Sequence, residues 1–300
     1  MLFEEPLSFV KAFIDDINDS LKDINPNAKL SMIQKKWLTF CCMAILVTNS
    51  VCWAKFERSS LVHYSIAALS WMFRNSKIKW NLLLHGSLRV ILNTYGIKEG
   101  VLVIDDSDKK RSKSTKRIFK VHKIKDKSSG GYIMGQSIVF LFLVTPIVSI
   151  PLGFAFYMPD PGLTAWYKLN KKLKKQGVPK KKRPKKPKRS DKYPTKQKIA
   201  LNLLNEFKRY NPRIKIKCVL ADALYGTNDF LTNASNIFDG IQVISQLRSN
   251  QNIRLGNNTM NLEEYFTKHP GSTQEMKIRG GEKTNVTVGS ARFYIVAHGR

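Results

Sequence analysis

The sequence predicts an α/β (α+β) protein in which a helical N-terminal subdomain, residues 1–98, precedes a mixed sheet with flanking helices. Three observations predict this. Phe9, Val10, Phe13, Ile14, Ile17, Leu21 and Ile24 recur at three- and four-residue steps, the spacing of a helix with one apolar stripe. At Gly100 the pattern changes to short continuous apolar runs such as Val101, Leu102, Val103 and Ile104, which read as buried strands. Past residue 195, helical and strand patterns alternate, as they do where crossover helices join parallel strands.

The elements follow in order. After the first helix, residues 32–53 are apolar nearly throughout and read as one buried helix. Two more follow at 60–74 and 81–95, the second closed by Gly96. The first strand covers 101–106. A basic loop comes next, with ten Lys and Arg over residues 109–127, including Lys109, Lys110, Arg111, Lys113, Lys116, Arg117 and Lys127. Gly130 and Gly131 lead into an apolar hairpin at 136–144 and 147–157. Residues 160–194 hold the run Lys180, Lys181, Lys182, Arg183, Pro184, Lys185, Lys186, with few apolar side chains and further prolines at 179, 187 and 194. That is the composition of an exposed, partly disordered insertion. Order resumes with a helix at 195–210, a strand at 214–222, a helix at 228–236 capped by Thr227, and a strand at 241–247. Residues 99–250 thus read as one core. Residues 251–300 read as a β-rich insertion, with strands at 275–279, 284–288 and 291–297, still incomplete where the sequence stops.

Charge narrows the function. The 51 Lys and Arg against 22 Asp and Glu leave a formal net charge of +29. Such an excess calls for a polyanion, nucleic acid before membrane, because fixed positive charge releases the counterions condensed on phosphates. Lys35, Lys36, Lys55, Arg58, Arg74, Lys77 and Lys79 could add phosphate contacts from the helical subdomain. Cys41, Cys42, Cys52 and Cys218 form no CxxC pair, so structural zinc is not expected; all four read as buried thiols of a reducing compartment. Residues 138–157 imitate a membrane span, but Pro146 and Pro151 and their β-branched neighbours favour two strands and a tight turn. Acidic residues at the start, Glu4 and Glu5, do not resemble a secretory signal. A cytoplasmic, nucleoid-associated protein with no membrane partner is expected.

Two apolar runs end in acids: Val101 to Ile104 before Asp105, Asp106 and Ser107, and Cys218 to Ala221 before Asp222. Each reads as a buried strand delivering an aspartate at its end. Neighbouring strand residues face opposite sides, so only one of Asp105 and Asp106 can enter a site shared with Asp222. Paired carboxylates are hard oxygen ligands suited to divalent ions, which activate an attacking oxygen and stabilise a leaving one in phosphoryl transfer. Three antiparallel strands, a helix and a parallel strand ending in Asp is the order of an RNase H-like core, which sets the first and fourth strands side by side.

These residues carry a family resemblance. The Asp105-Asp106-Ser107 motif, the basic loop, the long hairpin and the run from Ala221 through Asp222, Tyr225, Gly226, Asn228 and Asp229 to Phe230 resemble DDE transposases of bacterial insertion sequences. The similarity runs from about residue 98 to 300. It implies transposition, with metal-dependent cleavage and strand transfer on double-stranded element-end DNA, by a homodimer across paired ends. It also implies two Mg²⁺ ions, with Mn²⁺ as substitute, held by Asp106 and Asp222; a Ser or Thr after the first aspartate selects Asp106. Lys109, Lys110, Arg111, Lys180, Lys181, Lys182, Arg183, Lys185 and Lys186 are the expected DNA contacts. The family's third acid, a glutamate in a Tyr-x-x-Arg-x-x-x-Glu helix, has no match; Glu263 and Glu264 beside Tyr265 stand in the wrong order. The expectation is a copy truncated before that helix, which alone does not cleave DNA. Two rival readings stand beside it: a haloacid dehalogenase-type phosphatase using Asp106 and Asp108, and a basic nucleic-acid binder without catalysis.

Overall fold

The computed structural model describes residues 6–60, 64–111, 118–126, 128–247, 249–277 and 282–296. Lys113, Lys116, Arg117 and Lys127 of the basic loop lie outside the described residues. The chain forms two compact units. One comprises Met1–Gly100, Thr145–Gly153 and Arg209–Lys215; the other comprises Val101–Val144, Phe154–Lys208 and Ile216–Arg300.

The first unit is built from helices α1 (Ser8–Ile24), α2 (Met32–Thr48), α3 (Trp53–Arg58), α4 (Ile66–Asn75) and α5 (Trp80–Thr94). The stripe expected on α1 is the one it buries: Val10, Ile14, Ile17 and Leu21 are all inside. Ile14, Ile17 and Leu21 join Leu38, Phe40, Phe56, Leu69 and Leu82 in one core, each such side chain contributing about 1.5–3 kcal/mol. The expected single helix at 32–53 is instead two. Asn49 adopts the left-handed conformation at φ 45°, which ends α2, and α3 restarts at Trp53. The helix expected from residue 60 begins at Ile66, where the Ser65 hydroxyl accepts from Ala68 N–H at 3.2 Å. Cys41 is buried, but Cys52 is exposed at the start of α3, so the expectation of four buried thiols fails there.

A six-stranded mixed sheet, most of whose residues belong to the second unit, organises the remainder. Its strands are β1 (Glu99–Lys110), β2 (His122–Lys125), β3 (Tyr132–Val144), β4 (Ser149–Tyr157), β5 (Lys215–Ala221) and β6 (Gln242–Ser245). The order is β2-β3-β1-β5-β6, and β4 also pairs with β3. Ignoring the short β2, this is the RNase H-like arrangement: hairpin strands on one side of β1, and the parallel pair β5 and β6 on the other. The apolar stretch at 138–157 is strand and turn, and no helix among the described residues is long and apolar enough to cross a membrane.

The register of β1 on β3 sorts the two faces. Leu102 opposes Leu143, Ile104 opposes Leu141, Asp106 opposes Val139 and Asp108 opposes Ser137. One face is therefore aliphatic along most of its length and turns polar at Asp106. Helix α7 (Lys196–Tyr210) buries Ile199, Ala200, Leu203, Leu204 and Phe207. It reaches the Asp106 face through its first residue, as shown below.

The charge-rich segment after β4 departs most from expectation. Helix α6 (Pro161–Lys175) occupies half of it. Asp160 caps this helix, Oδ1 accepting from Gly162 N–H at 2.8 Å and Leu163 N–H at 3.1 Å, and Pro161 sits at the first helical position, where a missing N–H costs nothing. The extended stretch that follows is pinned back. Trp166 Nε1 donates to the Pro184 carbonyl at 2.8 Å, Arg183 Nη1 to Asn170 Oδ1 at 3.2 Å, and Ser190 N–H to Asp160 Oδ2 at 2.9 Å. The insertion is an ordered basic prong.

Between β5 and β6, helix α8 (Asn228–Ile237) is capped by Thr227 as expected, Oγ1 accepting from Phe230 N–H at 3.4 Å. The rest of the chain follows β6. The C-terminal segment holds β7 (Asn252–Leu255), β8 (Asn258–Asn261), α9 (Leu262–Lys268), β9 (Ser272–Lys277), β10 (Lys283–Val288) and β11 (Tyr294–Ile295). The β-rich expectation thus missed one helix and the β7–β8 hairpin.

Candidate active site

Strand β1 does not stop at its aspartates. It continues paired with β3 through Ser107, Asp108, Lys109 and Lys110, because Ser137 and Gln136 on β3 give the polar half of the strand neighbours it can bond. Asp106 is consequently an interior strand residue, on the face of Leu102 and Ile104. Asp105 points to the opposite face, is exposed, and accepts from the Asp106 N–H on Oδ1 at 2.8 Å. Strand β5 does end as expected, at Ala221, with Asp222 directly after it.

Asp222 opens a tight turn. Its Oδ1 accepts from Leu224 N–H at 2.9 Å, its carbonyl accepts from Tyr225 N–H at 3.1 Å, and Ser245 Oγ donates to the same carbonyl at 2.6 Å. The residue is exposed. Gly226 is needed here: a Cβ would sit 2.9 Å from the Gln246 carbonyl oxygen and 3.1 Å from Ser245 Oγ.

The first turn of α7 ties the two strands together. Lys196 Nζ lies 2.5 Å from Asp106 Oδ2, and Gln197 Nε2 donates to the Leu224 carbonyl at 2.8 Å. One helix end thus grips β1 and the turn after β5. Between them Tyr225 is 0% exposed, packed on Phe230 with ring centroids 5.2 Å apart, and its hydroxyl has no hydrogen-bond partner among the described residues. Burial raises the Tyr225 pKa well above the ordinary phenol value, and the negative charges of Asp106, Asp222 and Asp105 raise it further. Tyr225 thus lies within electrostatic reach of all three aspartates.

Asp108 is committed elsewhere. It accepts from Ser137 Oγ at 2.5 Å, and His122 Nε2 lies 3.3 Å from the same oxygen. The expected DNA-contacting cations also divide. Lys109, Lys180, Lys181, Lys182, Lys185 and Lys186 are exposed, and Lys186 lies 5.3 Å over the Tyr167 ring. Lys110 pairs with Asp126 at 2.8 Å, Arg111 donates to Gln136 Oε1 at 2.8 Å, and Arg183 helps fasten the prong. Lys196 escaped notice in the sequence, where it is one of sixteen Lys and Arg over residues 168–198; no local signal marks it.

The profile of the family described as DDE superfamily endonuclease matches residues 60–290. The chain belongs to this family. The match reaches back into the helical unit ahead of α4, well before residue 98, and extends through β10. No curated protein matches the chain. Membership in the DDE superfamily endonucleases supports a nuclease- or transposase-type activity on DNA, in a family that generally uses divalent metal ions. The donor set suits such ions in kind, since Asp106 and Asp222 are hard carboxylates at neighbouring strands. Among the described residues no group of three His, Cys, Asp or Glu side chains converges on one point, so the fit is that of a carboxylate pair.

Proposed function

We propose that this DDE superfamily endonuclease is the transposase of a bacterial insertion sequence, acting in the cytoplasm on double-stranded element-end DNA. The observation that carries this reading is the way the first turn of α7 ties Asp106 to the turn that Asp222 opens, through Lys196 and Gln197. Asp106 and Asp222 would hold Mg²⁺, or Mn²⁺ in its place. Ions bound there would activate the oxygen that attacks the phosphodiester and stabilise the one that leaves.

The chain's own groups supply the remainder. Asp106 is fixed by the β1–β3 ladder, and Asp222 by its turn and the Ser245 bond. Gln197 keeps that turn at the first residues of α7. The exposed lysines of the prong follow the phosphate backbone, adding affinity without reading sequence. A homodimer holding paired DNA ends belongs to the same proposal. Glu264, one of the two acids nearest the family's third position, is engaged in the α9 capping box, with Asn261 N–H donating to its Oε2 at 3.2 Å.

The test compares the purified chain with Asp222→Ala on a supercoiled plasmid bearing the element ends, with and without Mg²⁺, alongside binding to a DNA duplex. Both proteins are expected to bind alike. Mg²⁺-dependent nicking lost in Asp222→Ala establishes a working site, and binding without nicking by either protein rejects the cleavage part of the proposal. Equal nicking by both proteins rejects the assignment of Asp222.

A further inference from the structure

Lys196 opens α7, with Nζ 2.5 Å from Asp106 Oδ2 and 5.6 Å from the centre of the Tyr157 ring. The two charged side chains keep only 20% and 17% of their full exposure. We propose that Lys196 is a tethered counter-ion: it occupies Asp106 in the metal-free protein, and releases it to a divalent cation while turning to a DNA phosphate. The inference rests on the reading of Asp106 and Asp222 as a metal-holding pair.

Three observations converge on it. Asp106 shares a face with the buried Leu102 and Ile104, so its charge needs a close positive partner whenever no ion is bound. The ammonium touches Oδ2, one of the oxygens an ion at Asp106 would take, and two cations on one carboxylate repel. Lys196 can nevertheless leave without moving the helix. Gln197 anchors the first turn of α7 to Leu224, whereas the lysine stem is flexible and the Tyr157 ring face offers its ammonium a second support. Once released, that ammonium sits where a phosphodiester must approach Asp106 and Asp222.

The experiment uses the full chain and titrates Mn²⁺ by the electron paramagnetic resonance of the free ion. Wild type, Lys196→Met and Asp222→Asn are compared. Asp222→Asn should lose the site. Lys196→Met should bind Mn²⁺ roughly tenfold tighter, because no ion pair has to be broken first. The same variant should bind a DNA duplex in Ca²⁺ severalfold more weakly. These opposite signs are not produced by a merely structural lysine. Reductive methylation read by mass spectrometry gives a second measure that leaves Lys196 itself unaltered: in wild type Mn²⁺ should raise labelling of Lys196 relative to Lys208, and it should not do so in Asp222→Asn. Unchanged or weaker Mn²⁺ binding by Lys196→Met, or labelling indifferent to Mn²⁺, overturns the proposal. If Mn²⁺ binding survives Asp222→Asn, the metal-site reading itself fails and takes this inference with it.

Discussion

The Asp160 carboxylate accepts the Ser190 N–H at 2.9 Å, closing a loop of thirty residues on the same side chain that caps α6. One residue thereby turns a lysine-rich segment into an ordered prong. Asp160→Ala removes both functions and should expose residues 176–192 to trypsin, seen as rapid cleavage there while the rest of the chain resists. Asp160→Asn keeps one acceptor oxygen, enough for the α6 cap but not for the Ser190 N–H as well, and should be cut more slowly than the alanine variant. The pH dependence has a definite sign. The Ser190 N–H, then those of Leu163 and Gly162, hold the Asp160 pKa below the ordinary carboxylate value. The contribution is therefore present above about pH 4, the unfolded carboxylate range, and is lost as pH falls through the lower folded value. Trypsin cannot report at such pH, so pepsin cleavage of the prong between pH 4 and 2 is the measurement.

Tyr225→Phe should stabilise the metal-free protein. The hydroxyl is buried with no partner among the described residues, and a buried unbonded hydroxyl costs about 1–3 kcal/mol. A rise of about 1 kcal/mol in urea unfolding is expected, and a fall would show that the hydroxyl has a partner in solution. The raised pKa adds a second signature. Burial and the nearby aspartates keep the folded phenol neutral, so wild-type stability holds below about pH 10 and declines as pH rises past it. Tyr225→Phe should flatten part of that alkaline decline.

Gly226→Ala should damage the site through backbone rather than charge. The added Cβ would meet the Gln246 carbonyl oxygen at 2.9 Å and Ser245 Oγ at 3.1 Å, forcing the turn after Asp222 away from β6. Overpacking of this kind costs about 1–3 kcal/mol. Thermal unfolding should show it, and Mn²⁺ binding should weaken with Asp222 itself unaltered.

The thiols should react in a fixed order. Burial pushes the Cys41 pKa up to about 12, whereas the Lys55 and Ala54 backbone N–H groups bring that of the exposed Cys52 down. With a disulfide reagent at pH 7.5, Cys52 should react first and Cys41 only on unfolding. Equal rates would contradict the exposed start of α3.

Strong periodicity made the architecture readable. The stripe on α1, the apolar runs of β1, β3 and β5, and the Thr227 cap all announce themselves within a few residues, and the sheet order follows from their sequence. What escaped depends on partners distant in sequence. Lysines 109 and 110 read as loop until Gln136 and Gly135 oppose them on β3. Helix α6 was masked by its charge, although Asp160 and Pro161 spell a helix start and Leu163, Trp166, Tyr167 and Leu173 keep helical spacing. The Lys196 contact spans ninety residues and leaves no local trace. Asp106 and Asp222 could be named from sequence, while the cation between them and their surroundings could not.

The continuation of β1 past Asp106 makes the two carboxylates mechanically unequal. Asp106 is welded into a ladder that extends four residues to either side of it, so its position is set by the sheet as a whole. Asp222 hangs from a turn whose restraints are single bonds to Leu224, Ser245 and Gln197's anchor point. Any change in the spacing of Asp106 and Asp222 would therefore be taken up on the Asp222 side, with Asp106 as the fixed jaw.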